Sequence, residues 1–158
     1  MFLMTELKRF FSSQWGSRDG RKYVVIVGCG TFGSYLANGL SRHGHSVVVL
    51  DSDSRAFDKL LPEFSGFTLV GDASDTALLE RAHIADADLV IAATREDMLN
   101  YMIALVALNV YGKTAVLARI AHPQRAAIIR AEGIQTVDPV AFAAEAIFPS
   151  LLAPSSNE

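Results

Sequence analysis

Short apolar runs alternate along the whole sequence with longer stretches of helical periodicity. The runs are continuously aliphatic or β-branched, which is typical of strands buried on both faces of a parallel sheet. They cover residues 23–27, 46–50, 67–70, 88–93, 115–119 and, more weakly, 134–137. Helices are predicted between them at 31–43, 53–61, 74–83, 96–111, 122–131 and 138–148. Strand followed by helix throughout predicts an α/β fold with a doubly wound parallel sheet of six strands.

Capping residues mark several of the predicted helix ends. Gly44 is expected in the left-handed conformation after the helix at 31–43. Ser74 is expected to cap the helix that follows the third strand. Asp138 and Pro139 together predict an N-cap followed by proline at the first helical position.

The 158 residues suffice for one domain with a proper core and are too few for two. We divide the chain into a basic amphipathic arm (1–21), a folded domain (22–152) and a disordered tail (153–158). Apolar residues of the arm fall at helical spacing: Leu3, Leu7, Phe10 or Phe11, and Trp15. Three interpretations of the arm remain open: a helix on a membrane surface or a partner, a helix packed on the domain's own flank, or a partly ordered segment.

Charge and composition exclude several classes of protein. Residues 1–22 carry a net charge of +3 and residues 23–158 one of −6, and so acidic a globular part is a poor match for DNA or RNA. No apolar run reaches the roughly 18–20 uncharged residues of a membrane-spanning helix, and the N-terminus lacks the pattern of a secretory signal. With Cys29 as its single cysteine the chain forms no internal disulfide, so we expect a cytoplasmic protein.

Two predicted helices are apolar on nearly every side. Between residues 98 and 111 only Asn100 and Asn109 are polar, and between 140 and 153 the only charged residue is Glu145. A helix of this kind either lies inside a thick core or contributes to a subunit interface. The second interpretation predicts a homodimer or larger ring that assembles through helices around 97–111 and 138–152.

The first strand runs directly into the glycine-rich sequence Gly28-Cys29-Gly30-Thr31-Phe32-Gly33, and a helix follows. In this context Gly28 makes the tight turn, Gly30 lets a pyrophosphate approach the backbone, and Gly33 lets helix and strand pack closely. The free amides and the positive end of the helix dipole would receive the phosphates. The loop therefore predicts a Rossmann-like domain that binds a nucleotide or dinucleotide.

An acidic residue stands at the end of the second strand, where domains of this kind hold the ribose. Asp51 lies eighteen residues beyond Gly33, close to the spacing of about 20 expected for that acid. Its carboxylate can accept hydrogen bonds from both ribose hydroxyls, and its charge would repel a 2′-phosphate, so NADP is disfavoured. Asp53 is the competing candidate, although Ser52-Asp53-Ser54 has the composition of a turn and helix start.

Further candidate residues follow the third strand, follow the fourth strand, or lie within the glycine loop. Gly71 and Asp72 lie at the adenine, form a tight turn in which Asp72 caps a helix, or do both. Thr94 follows the fourth strand, near the point where strand order reverses and ligands bind. Cys29 lies near a helix N-terminus that would stabilise a redox-sensitive thiolate, or it fills a variable loop position with a small side chain.

Together these motifs resemble the regulatory domains of potassium channels and transporters called RCK or KTN domains, typified by TrkA and KtrA. The resemblance covers residues 22–149 and is carried by several segments. They are Val25-Ile26-Val27 with the glycine loop, Val48-Val49-Leu50-Asp51, Gly71-Asp72-Ala73-Ser74, Ala85-Asp86-Ala87-Asp88, Ala92-Ala93-Thr94, Asp97, Asn100 and Ala118-Arg119-Ile120.

The resemblance implies a domain that senses a ligand and gates an ion pathway without catalysing a reaction. The implied ligand is NAD(H) or an adenine nucleotide (ATP, ADP or AMP). The implied partner is a membrane potassium channel or transporter subunit, which would hold the domain at the inner face of the membrane. The implied binding residues are Gly28, Cys29, Gly30, Thr31, Phe32, Gly33, Asp51, Ser52, Gly71, Asp72, Ala73, Thr94 and Arg119.

The alternative function is an NAD(H)-dependent oxidoreductase that acts with a partner chain. A dehydrogenase needs a proton-transferring group beside its substrate. No Tyr-x-x-x-Lys spacing occurs, and the four histidines fall near predicted helix ends or turns without metal-ligand spacing. We therefore expect neither catalytic nor metal-binding residues, and the sequence favours the sensor.

Overall fold

A computed structural model describes residues 2–15 and 20–153 of the chain. Its strands are β1 (Tyr23–Val27), β2 (Ser46–Asp51), β3 (Phe67–Val70), β4 (Leu89–Ala92), β5 (Val116–Arg119) and β6 (Gln135–Val137). They form one parallel sheet in the order β3-β2-β1-β4-β5-β6. The predicted doubly wound parallel sheet of six strands in a single domain is confirmed.

The helices are α1 (Phe2–Gln14), α2 (Thr31–Arg42), α3 (Thr76–Arg81), α4 (Asp97–Leu105), α5 (Pro123–Ala131) and α6 (Pro139–Leu152). A π-helical segment, Val106–Val110, continues α4, and the N–H of Tyr111 donates to the carbonyl of Val106 across 3.2 Å. The helix predicted at 53–61 is a shorter 3₁₀ helix at Ser54–Lys59.

The central strands are buried on both faces because helices cover the sheet from either side. On one face the strands pack against α3, α4 and α5, which bury Leu79, Ile103 and Ile129. On the other face they pack against α2 and the chain around Phe57. Each side chain of a central strand therefore enters a core, which explains why the runs are continuously apolar.

The strand order reverses at β1. That strand pairs with β2 on one side and with β4 on the other, so the connections that follow β1 and β4 leave in opposite directions. A crevice opens at the carboxyl ends of the strands at such a switch point, and ligands bind there in open α/β sheets.

Two of the predicted caps are confirmed. Gly44 has a φ of 85°, in the left-handed region. The Asp138 side chain accepts a hydrogen bond from the N–H of Val140, and Pro139 is the first residue of α6.

The predicted cap of α3 is wrong. Asp75, not Ser74, caps α3 by accepting a hydrogen bond from the N–H of Ala77. Ser74 already takes part in a turn, since its N–H and its hydroxyl both donate to Asp72 at 2.8 and 2.7 Å.

The domain covers the two apolar helices to different extents. Helix α4 buries Asn100, Ile103 and Ala104. No residue of α6 is buried. Five of its large apolar side chains are more than half exposed: Val140, Ile147, Phe148, Leu151 and Leu152. The interpretation of 140–153 as core is therefore wrong, since Phe142 is the only side chain of α6 that packs against a core cluster. Assembly through these helices stays a prediction.

Helix α1 packs on the flank of the domain. Leu7, Phe11 and Trp15 contact the core cluster that α2 also covers, and the Trp15 and His45 rings meet edge to face with centroids 5.5 Å apart. The structure thus selects the second of the three interpretations of the arm. The division at 21 and 152 stays a prediction, and residues 154–158 of the predicted tail lie outside the described residues. In the described ranges no helix has both the length and the apolarity to cross a membrane.

We expect alanine to destabilise the domain at Gly33 but not at Gly39, although both glycines lie in α2. A Cβ at Gly33 would overlap the carbonyl oxygen of Gly28, whereas one at Gly39 would meet nothing within 4 Å. Gly33→Ala should lower the free energy of unfolding by about 1–3 kcal/mol, and Gly39→Ala should raise it by about 0.5–1 kcal/mol. Chemical denaturation of the two variants measures both values. Equal effects would contradict the close contact at Gly33.

Candidate nucleotide-binding site

A cleft of about 1100 Å³ lies at the carboxyl ends of the strands. Its volume lies slightly above the usual range of small-molecule sites. Every predicted binding residue except Gly33 lines it: Gly28, Cys29, Gly30, Thr31, Phe32, Asp51, Ser52, Gly71, Asp72, Ala73, Thr94 and Arg119. Their role in binding stays a prediction, but the fold brings them to one surface.

The glycine loop lines the cleft at the end of β1. Gly28 has a φ of 102°, and a Cβ there would lie 2.7 Å from the carbonyl carbon of Ala93, so the loop crosses the end of β4 backbone to backbone. Gly30 faces open space and caps α2 without a side-chain hydrogen bond. The first amides of α2 therefore begin beside an unobstructed backbone, which is the arrangement that receives phosphate groups.

Asp51 fixes the loop as well as facing the cleft. One of its carboxylate oxygens accepts a hydrogen bond from the N–H of Cys29 at 2.8 Å, and the other accepts one from the N–H of Asp53 at 2.9 Å. Each carboxylate oxygen can accept a second hydrogen bond. The side chain therefore holds the loop against β2 and keeps acceptor capacity for ribose hydroxyls.

Asp53 has a different role, which agrees with its interpretation as a helix start. Its side chain caps the 3₁₀ helix by accepting from the N–H of Arg55. It also accepts from the guanidinium of Arg55 at 3.0 and 2.9 Å, and these bonds hold the pKa of Asp53 below its ordinary value. Arg55 lines the same cleft.

Asp72 forms the predicted tight turn after β3. Its hydrogen bonds from Ser74 hold the pKa of the carboxyl below the ordinary value. The helix-cap role is wrong, since Asp75 fills it. Its place on the cleft wall leaves the adenine contact as a prediction.

Asn100 ties the ends of β4 and β5 to α4. Its side-chain oxygen accepts from the N–H and the hydroxyl of Thr94 at 2.9 and 2.6 Å. Its side-chain amide donates to the carbonyls of Thr94 and Arg119 at 3.0 and 2.8 Å. Asn100 is fully buried, so every one of these bonds replaces one to water.

Asp97 extends this connection by one turn of α4. Its two carboxylate oxygens accept from the N–H groups of Ala121 and His122 at 2.9 and 3.1 Å. Sequence reasoning noted Asp97 and Asn100 only as part of a motif. The sequence did carry a signal for the role of Asn100, which is one of two polar residues in an otherwise apolar helix. A buried amide needs hydrogen-bond partners, so its position indicated a structural contact.

Sequence reasoning missed two further groups of cleft residues. Arg55, Lys59, Arg95 and Glu96 add charge to the cleft, and Pro139, Val140 and Ala143 of α6 form part of its wall. The α6 residues carry no local signal for this role, because only the folding of the chain after β6 brings them there. In the described part of the chain no group of three or more His, Cys, Asp or Glu residues has a metal-binding arrangement.

The thiol of Cys29 is fully buried in the core beneath the loop. Burial raises the pKa of Cys29 to about 11, and the nearby charge of Asp51 contributes in the same direction. The interpretation of Cys29 as a stabilised thiolate is therefore wrong. Loss of hydration outweighs the favourable field of the helix N-terminus.

The strand order, the glycine loop at the end of β1 and the acid at the end of β2 define a nucleotide-binding domain of the Rossmann class. The sequence model of the TrkA-N domain matches residues 24–138. The chain belongs to the TrkA-N family.

A curated relative supports this assignment. The Trk system potassium uptake protein TrkA of Streptomyces coelicolor is 38% identical over 136 residues, which cover 86% of this chain and 60% of the relative. The chain therefore spans about three fifths of the length of that relative.

Three solved structures share the fold. The TrkA-N domain of the inner membrane protein ybaL from Escherichia coli has a TM-score of 0.73 at 23% identity and covers 85% of this chain and 99% of its own. The Kef CTD of Shewanella denitrificans in its AMP-bound form has a TM-score of 0.70 at 25% identity, and the match covers 85% of this chain and 84% of that one. The GsuK channel bound to NAD has a TM-score of 0.60 at 18% identity, and the match covers 87% of this chain and 26% of that one.

We expect the Cys29 thiol to be unreactive in the folded protein. A pKa raised from 9.0 to about 11 lowers the thiolate fraction at pH 8 about 100-fold, and burial blocks access further. Iodoacetamide should therefore label the native protein at least about 100-fold more slowly than the urea-unfolded protein, as followed by mass spectrometry. Cys29→Ser is the control that must not react. Similar rates in both states would contradict the buried thiol.

The same shift has a consequence for stability at alkaline pH. The unfolded thiol ionises near 9.0, whereas the folded thiol keeps its proton up to about 11. The contribution of Cys29 to stability is therefore complete below pH 9 and is lost as the pH rises from 9 to about 11.

Proposed function

We propose that this chain is a nucleotide-sensing regulatory domain for potassium transport, on the cytoplasmic side of the membrane. Membership of the TrkA-N family and the likeness to a potassium uptake protein support the link to transport. Fold neighbours that carry AMP and NAD support a nucleotide as the signal.

One observation carries the proposal: an open glycine loop and a ribose-type acid face the same cleft. Gly30 leaves the start of α2 accessible to phosphates, and Asp51 stands one strand away with acceptor capacity for a ribose. The proposed ligand is NAD(H) or an adenine nucleotide. NADP is disfavoured because a 2′-phosphate would face the negative charge of Asp51.

The apolar surface of α6 supports a regulatory output. Monomeric proteins rarely leave contiguous apolar surface of this kind exposed, and it commonly marks an interaction site. We propose that α6 and the outer side of α4 pair subunits into a homodimer or ring, which acts on a membrane potassium channel or transporter subunit.

Sensing rather than catalysis is proposed because of the groups at the cleft. The described residues that line the cleft include no histidine, and its tyrosine and lysine, Tyr35 and Lys59, do not form a Tyr-x-x-x-Lys pair. Incubation with NADH and a panel of carbonyl compounds tests this directly. Sustained oxidation of NADH would overturn the sensor in favour of an oxidoreductase.

Replacement of Gly30 by alanine should weaken nucleotide binding at least tenfold and leave the fold intact. Gly30 has extended backbone angles that alanine accepts, and its Cβ would point into open space where the phosphates approach. We expect at least a tenfold loss of affinity by calorimetry for whichever of NAD, NADH, ATP, ADP and AMP binds. Gly39→Ala, in the open part of α2, is the matched control. Equal affinities of the two variants would place the phosphates elsewhere.

Removal of the Asp51 carboxylate should weaken NAD binding more than NADP binding. Charge-assisted hydrogen bonds to the ribose are worth about 1.5–3 kcal/mol, which corresponds to a loss of about 10- to 100-fold for NAD in Asp51→Ala. NADP should lose less or gain, because a repulsive charge disappears with the acceptor. Asp58→Ala, an exposed position outside the cleft, controls for loss of charge. An unchanged NAD affinity at an unchanged melting temperature would show that the ribose binds elsewhere.

A further inference from the structure

A second cavity, of about 580 Å³, opens at the amino ends of β1 and β3, at the opposite edge of the sheet from the cleft. We call it the amino-end groove. Its volume lies within the usual range of small-molecule sites. Tyr23 begins β1 and Phe67 begins β3, and both line the groove. Among the described residues none lines both cavities, so the groove is a separate site.

The groove exists because α3 is too short to cover the whole of β3. The six residues of α3 span about 9 Å, whereas the four residues of β3 extend over about 13 Å. A Cβ at Gly71 would lie 2.9 Å from a methyl carbon of Leu78, so α3 covers the carboxyl end of β3. Beyond Arg81 the chain turns away at His83, whose φ is 51°. The start of β3 is therefore left open, and Phe67 is 74% exposed.

The walls of the groove are apolar. Phe67 and Leu69 alternate along β3, so both side chains lie on the same face of the sheet. Val48 pairs with Phe67 in the β2–β3 ladder and shares that face. Tyr23 contributes its ring but no free hydroxyl, because the hydroxyl donates to the carbonyl of Ala82 at 2.6 Å. An apolar group that enters the groove therefore loses contact with water and meets few polar atoms.

Arg81 places an uncompensated positive charge at the rim. The other charged groups of the rim are His83 and Asp86, whose Nδ1 and carboxylate oxygen lie 3.9 Å apart. Within residues 2–15 and 20–153 the Arg81 guanidinium makes no hydrogen bond or ion pair. An apolar cavity with a free guanidinium at its rim is complementary to a molecule that has an apolar body and one carboxylate.

We propose that the amino-end groove binds a small amphiphilic carboxylate of the medium-chain fatty acid type. Its chain lies against Phe67 and Leu69, and its carboxylate lies against Arg81. A free acid is favoured over a peptide because the apolar walls would leave the N–H and C=O groups of a peptide without partners. The proposal does not depend on nucleotide binding in the cleft.

Chain length tests the apolar part of this proposal. Hexanoate, octanoate and 1-octanol are titrated into the ¹⁵N-labelled protein, and the amide shifts are followed by NMR. Octanoate should bind about five- to fifteenfold more tightly than hexanoate, because two more CH₂ groups leave water. Phe67→Ala should weaken octanoate and octanol alike, about three- to tenfold. Phe148→Ala, an exposed aromatic residue of α6 outside the groove, should change neither affinity.

The charge of Arg81 is tested with the same ligands. Arg81→Gln should weaken octanoate about two- to fivefold, as expected for an exposed ion pair, and leave octanol unchanged. Arg42→Gln is the matched control, because Arg42 is an exposed arginine in the last turn of α2 and lies outside the groove. It should leave both affinities unchanged.

The shifts should centre on residues 67–69 and 81–86. Equal binding of hexanoate and octanoate, an equal effect of Arg81→Gln on octanoate and octanol, or shifts centred on α6 would each overturn the proposal. Stronger binding at the groove by a blocked tetrapeptide of alternating valine and threonine would assign it to a peptide and overturn the fatty acid. Shifts of the same amides on dilution of the protein alone would assign it to a second copy of the chain, with the same consequence.

Discussion

The contact of three backbone segments around Gly28 is the constraint on which the site depends. The left-handed conformation of Gly28 turns the chain off β1, against the backbone of Ala93 and Thr94 at the end of β4. Gly33 then meets the carbonyl oxygen of Gly28, so α2 starts directly above the loop. Because no side chain separates these segments, the amino end of α2 lies over the switch point of the sheet, and the cleft opens there.

Buried polar contacts then fix the walls of the cleft. Asp51 joins the loop to the end of β2, and Asn100 joins the ends of β4 and β5 to α4. In the described residues every buried side-chain nitrogen and oxygen has a partner. A buried amide with four hydrogen bonds tolerates little displacement, so Asn100 holds Thr94 in a fixed position against α4.

Local features were predicted well because neighbouring residues determine them. The strands, the glycine turn, the position of Asp51 and the cap of α6 each depend on a few adjacent residues. Ser74 was assigned wrongly because two acids beside it, Asp72 and Asp75, compete for the same turn and cap. The loop sequence left two interpretations of Cys29 open, because the pKa of its thiol depends on burial in the core, which the loop sequence does not specify.

The sequence by itself determined the fold class, the phosphate loop and the acid at the second strand, because apolar periodicity and glycine geometry act over short distances along the chain. Only the tertiary structure decided that α1 lies on the flank, that α6 is left uncovered, and that α6 forms part of the cleft. These three results depend on which surfaces pack together once all six strands of the sheet are in place. Contacts between segments so far apart in sequence arise from tertiary packing, and no local sequence pattern specifies them.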